Sequence, residues 1–76
     1  MSGKAMPKDC FLSGLSVWKV IEKRKVYRSV AGDRLYTWDD LHGEVEVFNK
    51  RGQHLGVADY TGKTIGEAVR GRVLNV

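Results

Sequence analysis

The chain has 76 residues, 13 basic against 9 acidic, and a formal net charge of +4, so it forms one small domain with a marginal core and favours a polyanionic partner. Its lone cysteine, Cys10, excludes an internal disulfide and a cysteine-based zinc set, so the fold rests on packing. No apolar run approaches the ~20 residues of a membrane-spanning helix, and Met1 to Pro7 lacks the hydrophobic stretch of a secretory signal. In chain order, Phe11, Leu15 and Trp18 recur at helical spacing, with Leu12 and Ile21 a little off the stripe. They predict a helix from Asp9, as its cap, to about Lys23, weakened by Gly14. Val17, Trp18, Val20 and Ile21 are also good strand formers. From Lys25 the pattern shortens, and strands are predicted at Lys25 to Ser29, Arg34 to Asp39, Glu44 to Asn49 and His54 to Asp59. Turns separate them at Ala31-Gly32-Asp33, Leu41-His42-Gly43, Lys50-Arg51-Gly52 and Tyr60-Thr61-Gly62. Such short loops imply an antiparallel meander. The tail from Lys63 ends in Val73-Leu74-Asn75-Val76, a segment suited to a final edge strand. The expected class is mainly β within α+β: an antiparallel sheet of four to five strands with a short N-terminal helix, in a single domain spanning 1–76.

Charge is unevenly distributed. Between Lys23 and Arg34 five basic residues (Lys23, Arg24, Lys25, Arg28 and Arg34) face one acid, Asp33, and are interleaved with Val26, Tyr27 and Leu35. Nucleic-acid surfaces combine cations for phosphates with flat side chains for bases. A solvated hairpin has the same composition, so the patch alone decides nothing. Lys50, Arg51, Lys63, Arg70 and Arg72 add cations further on.

The densest chemistry lies in Trp38-Asp39-Asp40-Leu41-His42-Gly43-Glu44-Val45-Glu46. If Glu44 to Phe48 is a strand, its period of two sends Glu44, Glu46 and Phe48 to one face and Val45 and Val47 to the other. One face is then apolar and buried, the opposite one ionisable. A solvated outer face explains a lone Glu-x-Glu, but here Asp39 and His42 stand directly across Gly43, which suits acid/base catalysis. Mutual repulsion among these carboxylates would raise the pKa of at least one. Oxygen and imidazole donors on Asp39, Asp40, His42, Glu44 and Glu46 also suit magnesium or manganese. Their spacing is diagnostic of no metal, and nearby arginines neutralise phosphate unaided, so no metal or cofactor is assigned. Trp18 and Trp38 are expected to pack in the interior. His54 is expected at the surface after its turn, Asp59 to close the turn that follows it, and Cys10 to be a small semi-buried residue.

The run Leu35-Tyr36-x-Trp38-Asp39-x-x-His42-Gly43-Glu44-x-Glu46, followed by Gly52-Gln53-His54-Leu55-Gly56, Asp59 and Thr61-Gly62, resembles the cytotoxic domain of the ribosomal-RNA-cleaving colicins. The similarity extends from about Lys23 to Arg72. It implies a strongly twisted antiparallel sheet (23–76) behind an N-terminal helical segment (1–22). It also implies a toxin endoribonuclease that cuts small-subunit ribosomal RNA at the decoding centre and is blocked by an acidic immunity protein. Carried over, the catalytic set falls on Asp39, His42, Glu46 and Arg72, with Glu44 supporting; Arg70 competes with Arg72 for the arginine, and Tyr36 is added as a supporting residue. Docking of RNA is expected at Lys23, Arg24, Lys25, Arg28 and Lys63. The chain departs from the family pattern in shorter turns before Gly52 and before Thr61-Gly62, and in a tail without a lysine-rich, proline-containing ending. The resemblance further implies action in the cytoplasm of a bacterial target cell, either as the effector domain of a larger secreted toxin or as a stand-alone toxin.

Metal-free RNA cleavage uses the ribose 2'-hydroxyl as nucleophile. That chemistry needs a base for its proton, an acid for the departing 5'-oxygen and positive charge for the phosphorane. Glu46 is the expected base, Arg72 the phosphate ligand, and either Asp39 or His42 the acid. Two alternatives remain: a nuclease of the same fold acting on another RNA such as transfer RNA, and a non-catalytic RNA-binding domain. In the latter, Glu44 and Glu46 would oppose phosphate.

Overall fold

The structure is a computed structural model that describes residues 3–76. Six strands, β1 (Ser16–Ile21), β2 (Arg24–Arg28), β3 (Arg34–Asp39), β4 (Glu44–Asn49), β5 (His54–Ala58) and β6 (Thr64–Glu67), form one sheet in sequence order. Every neighbouring pair is antiparallel, as the short loops require. The bounds of β3 and β4 are those expected from the alternation of their side chains. Their register sets Leu35 opposite Phe48, Thr37 opposite Glu46 and Asp39 opposite Glu44 on one face. Tyr36 opposite Val47 and Trp38 opposite Val45 occupy the other.

The expected N-terminal helix is corrected. Among the described residues helical structure is confined to one 3-10 turn, Phe11–Gly14, and Cys10 rather than Asp9 stands at its cap position, without a side-chain hydrogen bond. Leu15 is already extended, and Ser16–Ile21 pairs with β2 as a sixth strand. Val17, Val20 and Ile21 are β-branched, stiff at χ1 and better accommodated on a pleated surface than against a preceding helical turn. Helical spacing in Phe11, Leu15 and Trp18 was therefore coincidental. The expected edge strand at Val73–Val76 is also absent. The last strand is Thr64–Glu67, and the tail contributes an isolated bridge, Gln53 with Val73.

Two small cores lie on opposite faces. On the first, Cys10, Leu12, Tyr27, Val45, Val47 and Ala58 cluster beneath the N-terminal segment, with Met6, Phe11, Leu15, Tyr36 and Trp38 around them. Cys10 is fully enclosed, beyond the semi-burial expected of it. Leu12 is completely buried, worth about 2 kcal/mol for removal from water. The segment is anchored by Phe11 N–H to the Tyr60 carbonyl at 2.8 Å and by the Trp38 indole N–H to the Lys4 carbonyl at 2.8 Å. On the second face Val26, Leu35 and Phe48 meet Ile21 and Leu74. The tail reaches this face because Gly52, at φ +86, leaves room for the Leu74 carbonyl and accepts the Leu74 N–H at 2.7 Å. Trp18 is not interior: it is 37 % exposed on the edge strand β1, with the Lys19 ammonium 4.2 Å from its ring centre.

Candidate active site

The β3–β4 turn is organised by its own aspartate. Asp39 Oδ1 accepts the Leu41 and His42 backbone N–H groups at 3.0 and 3.2 Å, and the Asp39 carbonyl accepts the Gly43 N–H at 2.8 Å. Gly43, at φ +69, makes the left-handed step that returns the chain into β4. This geometry brings the His42 ring over Asp39, with Nδ1 2.7 Å from Oδ2, while leaving 64 % of the imidazole side chain in solvent. Partial burial opposes ionisation of Asp39, yet its hydrogen bonds from His42 and Leu41 outweigh this and hold the carboxyl below its ordinary value of 3.8. The hydrogen bond to Asp39 raises His42 above 6.5, and the negative charges of Asp39, Glu44 and Glu46 add to the effect. For Asp39 the direction is thus opposite to the one mutual carboxylate repulsion suggests.

Glu46 sits one pleat further along the same face, opposite the buried Thr37, and is itself only 8 % exposed. The expectation that this face is merely ionisable is corrected: Glu46, Phe48 and His54 are all buried there, packed beneath the returning tail. Arg72 donates from its guanidinium to Glu46 Oε1, and the ring of His54 stands behind Oε2 at 3.4 Å. Arg72 is delivered by the tail, whose backbone is joined to β5 through His54 N–H to the Arg72 carbonyl at 3.1 Å. Roughly half of the Arg72 side chain remains exposed and so accessible to a phosphate.

Asp39, His42, Glu44, Glu46 and Arg72 therefore line one open cleft of about 550 Å³, joined by Arg24 from β2. The structure does not bring the other expected residues into it. Arg70 is outside the cleft lining, and Tyr36 lies on the opposite face, where its ring meets Phe11 edge-on at 5.2 Å between centres. The basic run is divided by the hairpin. Arg24 borders both the cleft and a neighbouring depression, while Lys23 and Lys25 border only the latter, with Tyr27 and Trp38. Arg28 approaches the Trp18 ring at 6.0 Å, and Lys63 lies just beyond the β5–β6 turn, which Asp59 closes by accepting the Thr61 and Lys63 N–H groups. Donor atoms of Asp39, His42 and Glu44 lie within 4.8 Å of one another, a spacing compatible with a divalent cation as well as with proton transfer.

His54 is the residue that sequence reasoning misplaced. Its side chain is enclosed, edge-on to Phe48, and its Nδ1 accepts the Val69 N–H at 2.8 Å. Burial alternates along β5 through His54, Gly56 and Ala58, but the β4–β5 register shifts between Val47 and Phe48, which turns His54 to the Phe48 face and so toward Glu46.

A small antiparallel sheet thus sets ionisable β3 and β4 side chains against an arginine in one cleft of a basic chain, an arrangement suited to acid/base chemistry at a phosphodiester. The chain belongs to the Cytotoxic family, the cytotoxic ribonuclease domain of the colicin type, whose family model matches residues 17–75. The match begins inside β1, so the edge strand belongs to the family unit. Comparison with curated proteins returns no match. Among the described residues no helix is long and apolar enough to cross a membrane.

Proposed function

We propose that this domain is a metal-independent endoribonuclease that cleaves small-subunit ribosomal RNA at the decoding centre and so stops translation. The observation that carries this reading is the convergence of a buried carboxylate, Glu46, with Arg72 and the Asp39–His42 pair in a single cleft. Glu46 accepts the proton of the ribose 2'-hydroxyl as its oxygen attacks phosphorus. Arg72 exchanges its contact with Glu46 for the phosphorane oxygens, for which its planar fork is suited. His42, held as imidazolium by an ionised Asp39, gives its proton to the leaving 5'-oxygen, and a 2',3'-cyclic phosphate remains. The lowered pKa of Asp39 and the raised pKa of His42 both support this assignment of the acid. Arg24, which lines the cleft, holds a neighbouring phosphate, with Lys23, Lys25, Arg28 and Lys63 docking RNA further out.

In this reading the domain acts in the cytoplasm of a bacterial target cell, delivered as part of a larger secreted toxin. In the producing cell an acidic immunity protein covers the basic surface, associating at a rate that high salt slows. The test is the cleavage pattern after adding the protein to intact ribosomes and to bulk RNA, with and without EDTA. One discrete 3' fragment of the small-subunit RNA, produced in chelator, is the expected result. Selective loss of transfer RNA would redirect the target. Activity abolished by EDTA and restored by manganese would make Asp39, His42 and Glu44 a metal site and overturn the mechanism.

A further inference from the structure

The ring of His54 is buried, borders the catalytic carboxylate and has no part in the proton transfers above. Its Nδ1 accepts the Val69 backbone N–H at 2.8 Å. An N–H pointing at that nitrogen leaves no room for a proton on it, so the neutral ring carries its proton on Nε2. Nε2 is fully enclosed and has no hydrogen-bond partner, yet it stands 3.4 Å from Glu46 Oε2. A buried donor without an acceptor is costly, and the acceptor nearest to it is a carboxylate whose other oxygen is occupied by Arg72. The same residue fastens the tail twice, through its ring to Val69 and through its backbone N–H to the Arg72 carbonyl at 3.1 Å.

We propose that His54 is a positioning residue for Glu46: Val69 fixes the imidazole tautomer, and the resulting Nε2–H orients Oε2 when Arg72 leaves Oε1 for the substrate phosphate. The separation of 3.4 Å is beyond the usual N–H···O range in the free protein and closes as the carboxylate is released from the arginine, much as catalytic hydrogen bonds tighten in a reacting complex. His54 thus replaces the donor that Glu46 gives up, and keeps the base aimed at the 2'-hydroxyl. This inference rests on the reading of Glu46 as the catalytic base.

Two amide substitutions separate the two ends of the ring. Glutamine places an N–H near Nε2 and gives up the acceptor for Val69; asparagine places an acceptor near Nδ1 and gives up the donor toward Glu46. On intact ribosomes His54→Asn is expected to lower kcat by about 10- to 100-fold, the scale of an ångström-level misplacement, with KM unchanged. His54→Gln should keep most of the turnover. The reverse order, with His54→Asn active and His54→Gln inactive, would show that His54 only anchors the tail and would overturn the proposal. Independently of either variant's folding, nitrogen NMR of the wild-type ring should find the proton on Nε2, and its signal should shift in Glu46→Gln. A proton on Nδ1 would overturn the tautomer on which the proposal stands. Full activity in Glu46→Gln would instead remove the catalytic base itself, a failure of the functional reading that these histidine measurements distinguish.

Discussion

On one face of the sheet Val45 and Val47 pack against Cys10 and Leu12, closed off by the N-terminal segment; on the other, Glu46 lies between them in sequence and lines an open cleft. β4 therefore contributes to a core and to a site in alternate residues, a consequence of the period of two in an extended chain. The closed face is apolar and is covered by the N-terminal segment, with Tyr27 of β2 and Ala58 of β5 completing its core. The open face is completed by a tail that arrives from the far end of the chain, bringing Arg72 to Glu46. Substitutions on the two faces should accordingly separate stability from chemistry, even at adjacent positions.

The largest effect is expected on the closed face. Leu12→Ala removes a wholly buried side chain and should cost about 3 kcal/mol of unfolding free energy, a large share of what a domain this small possesses. Denaturant titration would measure it, and kcat of the fraction still folded should be unchanged. On the open face Glu46→Gln should lower cleavage by about 100-fold or more, as for a lost general base, while RNA affinity and melting temperature change little. A variant that cleaves normally, or one that unfolds, would break the proposed division between the faces. Gly52→Ala tests the link between them. A Cβ at this φ of +86 meets the Leu74 carbonyl, so about 2 kcal/mol of destabilisation is expected, with activity lost in proportion as the tail and Arg72 are displaced.

Much of this architecture was legible in the sequence because β3, β4 and their turn obey local rules. Alternating side chains, Asp39 hydrogen-bonding its own turn and Gly43 at positive φ all act within a few residues. Grouping of Asp39, His42, Glu44 and Glu46 followed from that hairpin alone. Three features were not legible, each for a non-local reason. Val17 to Ile21 satisfied helical and extended patterns alike, and pairing with β2 decided between them. The face to which His54 turns follows a bulge whose position no local signal marks. The choice between Arg70 and Arg72 depends on where the tail crosses the sheet, which is set by Gly52, Leu74 and the second core.

The pH dependence sharpens the assignment of the acid. His42 keeps its proton above 6.5, so turnover should hold through that pH and then fall by about tenfold per pH unit once the raised pKa is passed. Were Asp39 the donor, its carboxyl, already below 3.8, would be ionised at neutral pH and the limb would lie in acid. Stability follows the same pair. The His42 contribution is fully present below 6.5 and is lost as pH rises through its raised folded value. That of Asp39 is present above 3.8 and is lost as pH falls through its lowered one. A pH–rate profile of wild type and His42→Gln would decide, the alkaline limb disappearing in the variant.

The smallest effect concerns the hairpin that divides the basic run between cleft and outer surface. Glu22 and Lys23 form the two-residue connection of β1 to β2 at φ +50 and +66, a left-handed pair that side chains adopt at a cost. Glycine at the second position removes that strain but enlarges the freedom of the unfolded chain, so Lys23→Gly should stabilise the fold by only about 0.5–1 kcal/mol. Lys23→Ala deletes the same charge and keeps the strain, and should not stabilise. Because Lys23 does not line the cleft, kcat at saturating ribosomes should survive in both variants. If the lysine grips a phosphate, both should lower the logarithmic salt slope of binding by about 0.7–0.9. A fall in kcat shared by the glycine and alanine variants would place Lys23 with Arg24 in the chemistry, and the boundary between docking and catalysis would move to the outer side of the hairpin.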